Sequence, residues 1–353
     1  MNTLSMFVER KPVEGGATGR SVRVGKGFGG KLAALICCTL LIAVLMACQN
    51  STSGTTVTTI YAATTGGLSI STNGGTSWTN YTTTQGLGNN TLYGVYAAGS
   101  TIYAATAGGL SISTNAGTSW TNYTTTQGLG DNVVGGVYAV GSTIYAATNG
   151  GVSISTNSGT SWTNYTTTQG LGNNVVDGVS VAGSTIYAAT LGGLSISTNG
   201  GASWTNYTTT QGLGNNIVRG VYAAGSTIYA ATASSLSIST SGGASWTNYT
   251  TAQGLGNNNI NGVYAAGSTI YAATTGGVSI STNGGASWTN YTAAQGLGST
   301  DAYGVYAAGS TIYAATFSGL SISTNGGASW TNYTTAQGLG NDLGYGVYVT
   351  ITP

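Results

Sequence analysis

Apolar and polar residues alternate along most of this chain in short runs, and the runs return at a fixed interval. In the segment Val152-Ser153-Ile154-Ser155, Val152 and Ile154 fall on one face of an extended strand, and Ser153 and Ser155 on the other. That alternation is the strand period, not the helical one. Upstream, Gly136-Val137-Tyr138-Ala139-Val140 reads as a strand ended by a Gly-Ser turn, and Thr143–Thr148 (TIYAAT) as the next. Downstream, a Gly- and Ser-rich turn precedes Trp162-Thr163-Asn164-Tyr165-Thr166, a fourth strand. One unit thus predicts four short strands with Gly-rich turns.

The unit repeats. Trp78, Trp120, Trp162, Trp204, Trp246, Trp288 and Trp330 are each 42 residues apart, as are the Ile-Tyr-Ala-Ala-Thr segments that start at Ile60 and end with the copy at Ile312. A four-stranded propeller blade takes roughly 40–45 residues. The first copy begins at its second strand, near Ile60, and the last overshoots into Gly346-Val347-Tyr348-Val349. The C-terminal strand is therefore expected to complete the N-terminal blade, which removes two open sheet edges. The predicted fold is all-β: a seven-bladed β-propeller of four-stranded antiparallel blades, spanning residues 57–353.

The N-terminus reads differently. Residues 32–47 are apolar and uncharged and follow a basic stretch. They are short for a membrane span, which needs about 20 residues, and fit a secretory signal. Leu45-Met46-Ala47-Cys48 resembles a bacterial lipobox. That resemblance implies a lipoprotein signal peptide over 1–47, acylation of Cys48, and a lipid-anchored tether over 48–56. Gln49, not Asp, after the Cys implies outer-membrane sorting in a two-membraned bacterium. An uncleaved signal anchor is the competing reading. The expected location is extracytoplasmic, with the membrane touched through the lipid alone.

Composition narrows the function classes. The chain is rich in Gly, Thr, Ser and Asn, but its 7 Trp and 23 Tyr set it apart from disordered sequences. Beyond residue 32 the only charged residues are Asp131, Asp177, Arg219, Asp301 and Asp342. One Arg cannot neutralise a nucleic-acid backbone, so nucleic-acid binding is excluded. With no His in the chain and Cys37 and Cys38 inside the apolar run, a metal site lacks its usual ligands. No cofactor is implied, and the chain reads as a monomer.

Between the third and fourth strands each unit reads Ser-x-Asn-x-Gly-x-Ser-Trp, first as Ser71, Asn73, Gly75, Ser77 and Trp78. This resembles the Asp-box (BNR) repeat of sialidase-like and sortilin-like propellers, with Asn for Asp in six copies and Ser241 in the fifth. The resemblance implies a structural role for the turn. The repeats are also similar to propeller repeats of two-component sensors, which implies ligand sensing outside the cell. Sialidase chemistry needs an arginine triad, which Arg219 alone cannot supply. Glycosidases of Asp-box propellers use two carboxylates at a defined separation, and Asp177 with Asp301 is the one pair to test. Non-enzymatic binding is the expectation.

The copies differ mainly in two connections. One position precedes each first strand: Tyr93, Gly135, Asp177, Arg219, Asn261, Tyr303 and Tyr345. The other follows each Ala-Ala-Thr and includes Asn149 and Phe317. In a blade both connections emerge on one face, and the first set should ring the channel mouth. Tyr93, Asp177, Arg219, Asn261, Tyr303, Tyr345, Asn149 and Phe317 are the predicted ligand-binding residues, for a carbohydrate or an envelope protein. A scaffold role for uniform blades is the alternative, and a glycoside hydrolase a further one. The Asn-Tyr-Thr sequons that begin at Asn80 read as part of a Thr-rich outer strand.

Overall fold

The computed structural model describes residues 57–352. The signal peptide, the Cys48 lipidation site and the tether predicted for 48–56 lie outside the described residues. Seven four-stranded antiparallel sheets form the blades of a ring. In the second blade the strands are Leu92–Ala98, Thr101–Thr106, Gly109–Ser113 and Thr121–Tyr123, from the channel outward. The first blade is shared: Gly344–Thr352 pairs antiparallel with Val57–Thr64, followed by Gly67–Ser71 and Thr79–Tyr81. The ring closes as its sequence pattern predicts.

Alternation does not sort the third strand into a buried and an exposed face. All of Gly151–Ser155 is buried, serines included. A neighbouring blade covers each side of the sheet, so the polar half of the pattern is also interior. Its hydroxyls must then be bonded. Ser69 Oγ donates to Asn80 Oδ1 at 2.7 Å and accepts the Gly340 N–H at 2.9 Å, while Asn80 Nδ2 donates to Gly338 O at 2.9 Å. The equivalent brace joins Ser111 and Asn122 to Gly88 and Gly86. The sequon asparagines therefore clamp one blade onto the Gln-Gly-Leu-Gly loop of the preceding one.

The apolar core is divided into layers between blades. Tyr61, Ala63, Leu68 and Ile70 of the first blade pack against Leu87, Leu92, Ala97, Ile102 and Ala104. The Ala-Ala pair of each second strand keeps the sheets close; Ala104 and Ala105 are both fully buried. At the rim, Tyr81 meets Trp120 of the next blade edge-on at 5.9 Å, and Tyr333 meets Trp78 in the same way across the seam. Gly117 lies under the Tyr81 ring, where a Cβ would come within 2.7 Å of the ring atoms.

Two local features depart from the predicted unit. The outer strand is shorter than expected, with Trp just ahead of it. The stretch after it is a 3₁₀ turn, Thr83–Gln85 in the first copy. Thr82 and Gln85 form a capping box, and Gly86 ends the turn in the left-handed region at φ 105°. The Thr-x-x-Gln spacing carried that signal.

The Asn in six of the seven turns before Trp does what a carboxylate would, and more. Asn73 Oδ1 accepts from Ser71 Oγ at 2.9 Å and from the Ser77 N–H at 3.0 Å. Its Nδ2 also donates to Ser77 Oγ at 2.8 Å, a bond a carboxylate could not donate.

Candidate functional site: the mouth of the central channel

Six innermost strands pair with the next strand in register except for one residue. The pairing skips from Leu92 to Gly94, from Val176 to Gly178 and from Val218 to Gly220, and likewise in the other units. In the shared blade it skips from Gly344 to Gly346. The unpaired residues are Tyr93, Gly135, Asp177, Arg219, Asn261, Tyr303 and Tyr345, the variable set. A bulged residue leaves the ladder, and its side chain is re-aimed. Here all seven line one cavity of about 510 Å³, joined by Thr275 and Asp301.

The mouth has two unlike arcs. Tyr303, Tyr345 and Tyr93 follow one another around the ring, with centroids 5.3 Å and 5.5 Å apart. On the other side stand Asp177, Arg219 and Asn261. The Arg219 guanidinium donates to Asn259 Oδ1 and, at 2.7 Å, to Asn261 Oδ1. Asn261 Nδ2 donates to Ala302 O at 2.8 Å. Burial pushes the Asp177 carboxyl above the usual carboxylate range, and the nearby Arg219 pulls it part of the way back. Burial, then the Asp301 charge, raises the Tyr303 phenol. Gly135 stands between the arcs, where the next strand comes so close that a Cβ would lie within 2.7 Å of Asp177 O.

Two predicted residues are not part of this cavity. Asn149 is exposed, and Phe317 is 55% exposed. Their N–H groups bond to Val133 O and Asp301 O; of the residues at this place in the unit, Thr275 is the one that lines the cavity. Asp301, singled out in the sequence only as a carboxylate partner for Asp177, lines the mouth with it.

Below the mouth the channel continues. A layer of Gly and Val from the inner strands encloses about 240 Å³ and shares Gly135 and Asp177 with the mouth. Beneath it, about 370 Å³ is lined by those Val residues except Val347 and by Tyr96, Tyr138, Tyr222, Tyr264, Tyr306 and Tyr348. This tyrosine belt was missed in the sequence because its members are alike; the signal was the single exception, Ser180. Burial raises the phenols of Tyr96, Tyr222, Tyr264, Tyr306 and Tyr348, Tyr264 to about 12. Repulsion from the neighbouring phenol adds to the rise at Tyr264, from Tyr306, and at Tyr348, from Tyr96.

Comparison with solved structures agrees on the fold. The extracellular domain of a B. thetaiotaomicron protein described as a hybrid two component system superposes with a TM-score of 0.63 at 18% identity, over 75% of this chain and 38% of that one. YCF48 bound to a D1 peptide gives 0.51 at 15% identity, over 67% and 79%. PorZ, a surface component of the type-IX secretion system of Porphyromonas gingivalis, gives 0.51 at 15%, over 69% and 32%. The chain thus spans about a third of the length of the first and last of these. No protein-family model matches the chain, and no curated protein sequence does.

Proposed function

We propose that this propeller is a non-enzymatic binding module that holds a neutral glycan at the channel mouth, displayed outside the cytoplasm by a lipid on Cys48. The observation that carries this reading is the coincidence of variation with aim. The seven bulged residues occupy one of the few positions that vary between nearly identical blades, and all seven leave the sheet and line one cavity. The chemistry suits sugars: three contiguous tyrosines offer flat apolar faces, and the opposite arc offers amide, guanidinium and carboxylate groups. The near balance of the charges at the mouth, Arg219 against Asp177 and Asp301, disfavours a polyanion.

The test is capture of envelope polysaccharides and proteins by purified protein carrying Cys48→Ser, beside the same protein with Tyr93→Ala, Tyr303→Ala and Tyr345→Ala. A glycan retained by the first and lost by the second supports the reading. Equal capture, or none while both stay folded, favours a scaffold. Retention of a protein instead of a glycan would move the ligand class. Release of reducing ends that stops in Asp177→Asn would replace binding by catalysis.

A further inference from the structure

The tyrosine belt is an open chain. From Tyr138 through Tyr96, Tyr348, Tyr306 and Tyr264 to Tyr222, successive ring centroids lie 4.9, 4.9, 5.2, 4.6 and 5.0 Å apart. The seventh place, between Tyr138 and Tyr222, belongs to Ser180, which is 6% exposed. Where a phenol ring would close the belt, the cavity instead reaches Val181 and Ala223. Their counterparts in the other blades, such as Ala97 and Ala265, do not line it. The missing ring makes the room.

We propose that this chamber is an end-binding subsite: the terminal unit of the neutral glycan held at the mouth drops into the channel, and Ser180 is the residue that opens it. The inference rests on the glycan reading above. The volume of about 370 Å³ falls in the range of small-molecule sites. The lining carries no charged residue, so an ionised group there would lose its hydration without a partner. Burial raises the phenols of Tyr96, Tyr222, Tyr264, Tyr306 and Tyr348, so they act as neutral donors and acceptors. Valine and tyrosine faces match the C–H surface of a sugar ring, and the phenol hydroxyls match its hydroxyls. The way in runs through the Gly–Val layer, which shares lining residues with both the mouth and the chamber. A chain end can descend this channel, whereas an internal unit would need a sharp bend to reach the belt.

The variant Ser180→Tyr with Val181→Ala gives the fourth blade the Tyr-Ala pair that the fifth blade carries as Tyr222-Ala223, so it is expected to fold. Calorimetric binding is measured with linear cello-, xylo-, manno- and malto-oligosaccharides, with the same sugars capped at either end by a bulky group, and with a cyclodextrin, a glucan without ends. The expected result is that the native protein binds a free-ended oligosaccharide, that capping one end removes binding, and that the double variant loses about tenfold or more in affinity with an unchanged melting temperature. Equal affinity in the double variant, or equal binding of both capped forms or of the cyclodextrin, overturns the inference. If the triple tyrosine variant of the mouth still loses binding in that case, the glycan reading stands without it. If no neutral oligosaccharide binds the native protein, both fall. If the double variant melts early, Ser180→Leu, which fills the gap without a hydroxyl, decides by the same loss or retention of binding.

Discussion

Thr59 and Thr350 stand opposite each other across the seam of the ring, in the same register that places Ala98 opposite Thr101 in the second blade. In the second blade that pair is joined by Gly99 and Ser100, with Gly99 in the left-handed region at φ 59°. The two seam strands thus pair on through the place where the other blades carry a two-residue turn, the loop length that suits a tight hairpin.

A circular permutant follows from this register. Thr350 joined to Thr59 through Gly-Ser, with new ends cut between Gly183 and Ser184, is expected to fold to the same ring. Its circular dichroism should match that of the native protein, and its melting temperature should stay within a few degrees. Aggregation, or loss of cooperative melting, would show that the seam holds strain absent from the other six blades.

The fifth turn before the Trp is the weakest of the set. Ser241 replaces Asn there, and its contacts to Ser239 and Ser245 are 3.4 Å and 3.1 Å, against 2.9 Å and 2.8 Å for Asn73. Ser241→Asn is expected to stabilise the protein by about 0.5–1 kcal/mol, the scale of one hydrogen bond improved at a partly exposed site. A rise in the urea midpoint with an unchanged slope would bear this out. A fall would mean that the fifth turn has relaxed to a geometry of its own.

Stability should decline on the alkaline side. Burial holds the phenols of Tyr96, Tyr222, Tyr264, Tyr306 and Tyr348 above the ordinary tyrosine value, Tyr264 at about 12, while unfolded tyrosines lose their protons near pH 10. Between those values the unfolded chain binds fewer protons than the native one, so stability falls as pH rises. Below about pH 10 both states are protonated, and these groups leave stability flat. Phenolate absorbance followed against pH should show a late-ionising group whose appearance coincides with unfolding. Full titration near pH 10 with the fold intact would place the belt in open solvent.

Much of the architecture was legible because each blade is a local event. A 42-residue period, strand-length apolar runs and turn residues between them specify a blade, and the displaced ends of the repeat specify how the ring closes. The variable positions were also legible, since copies of one unit expose whichever residues differ.

What the sequence alone determined, then, was the blade, the number of blades, the closure and the variable set. Tertiary structure decided where those residues point. Tyr93 and its equivalents face the channel because inner strands crowd at the axis, where a Cβ on Gly262 would come within 2.8 Å of Tyr303 O. Near that crowding each strand accommodates one extra residue by a bulge, and no periodicity in the chain announces it. The same packing buried both faces of the third strand, left Phe317 and Asn149 outside the mouth, and brought Asp301 in. It also turned Ser180, one small residue in a row of tyrosines, into a chamber, because a gap has volume only once its neighbours are in place around it.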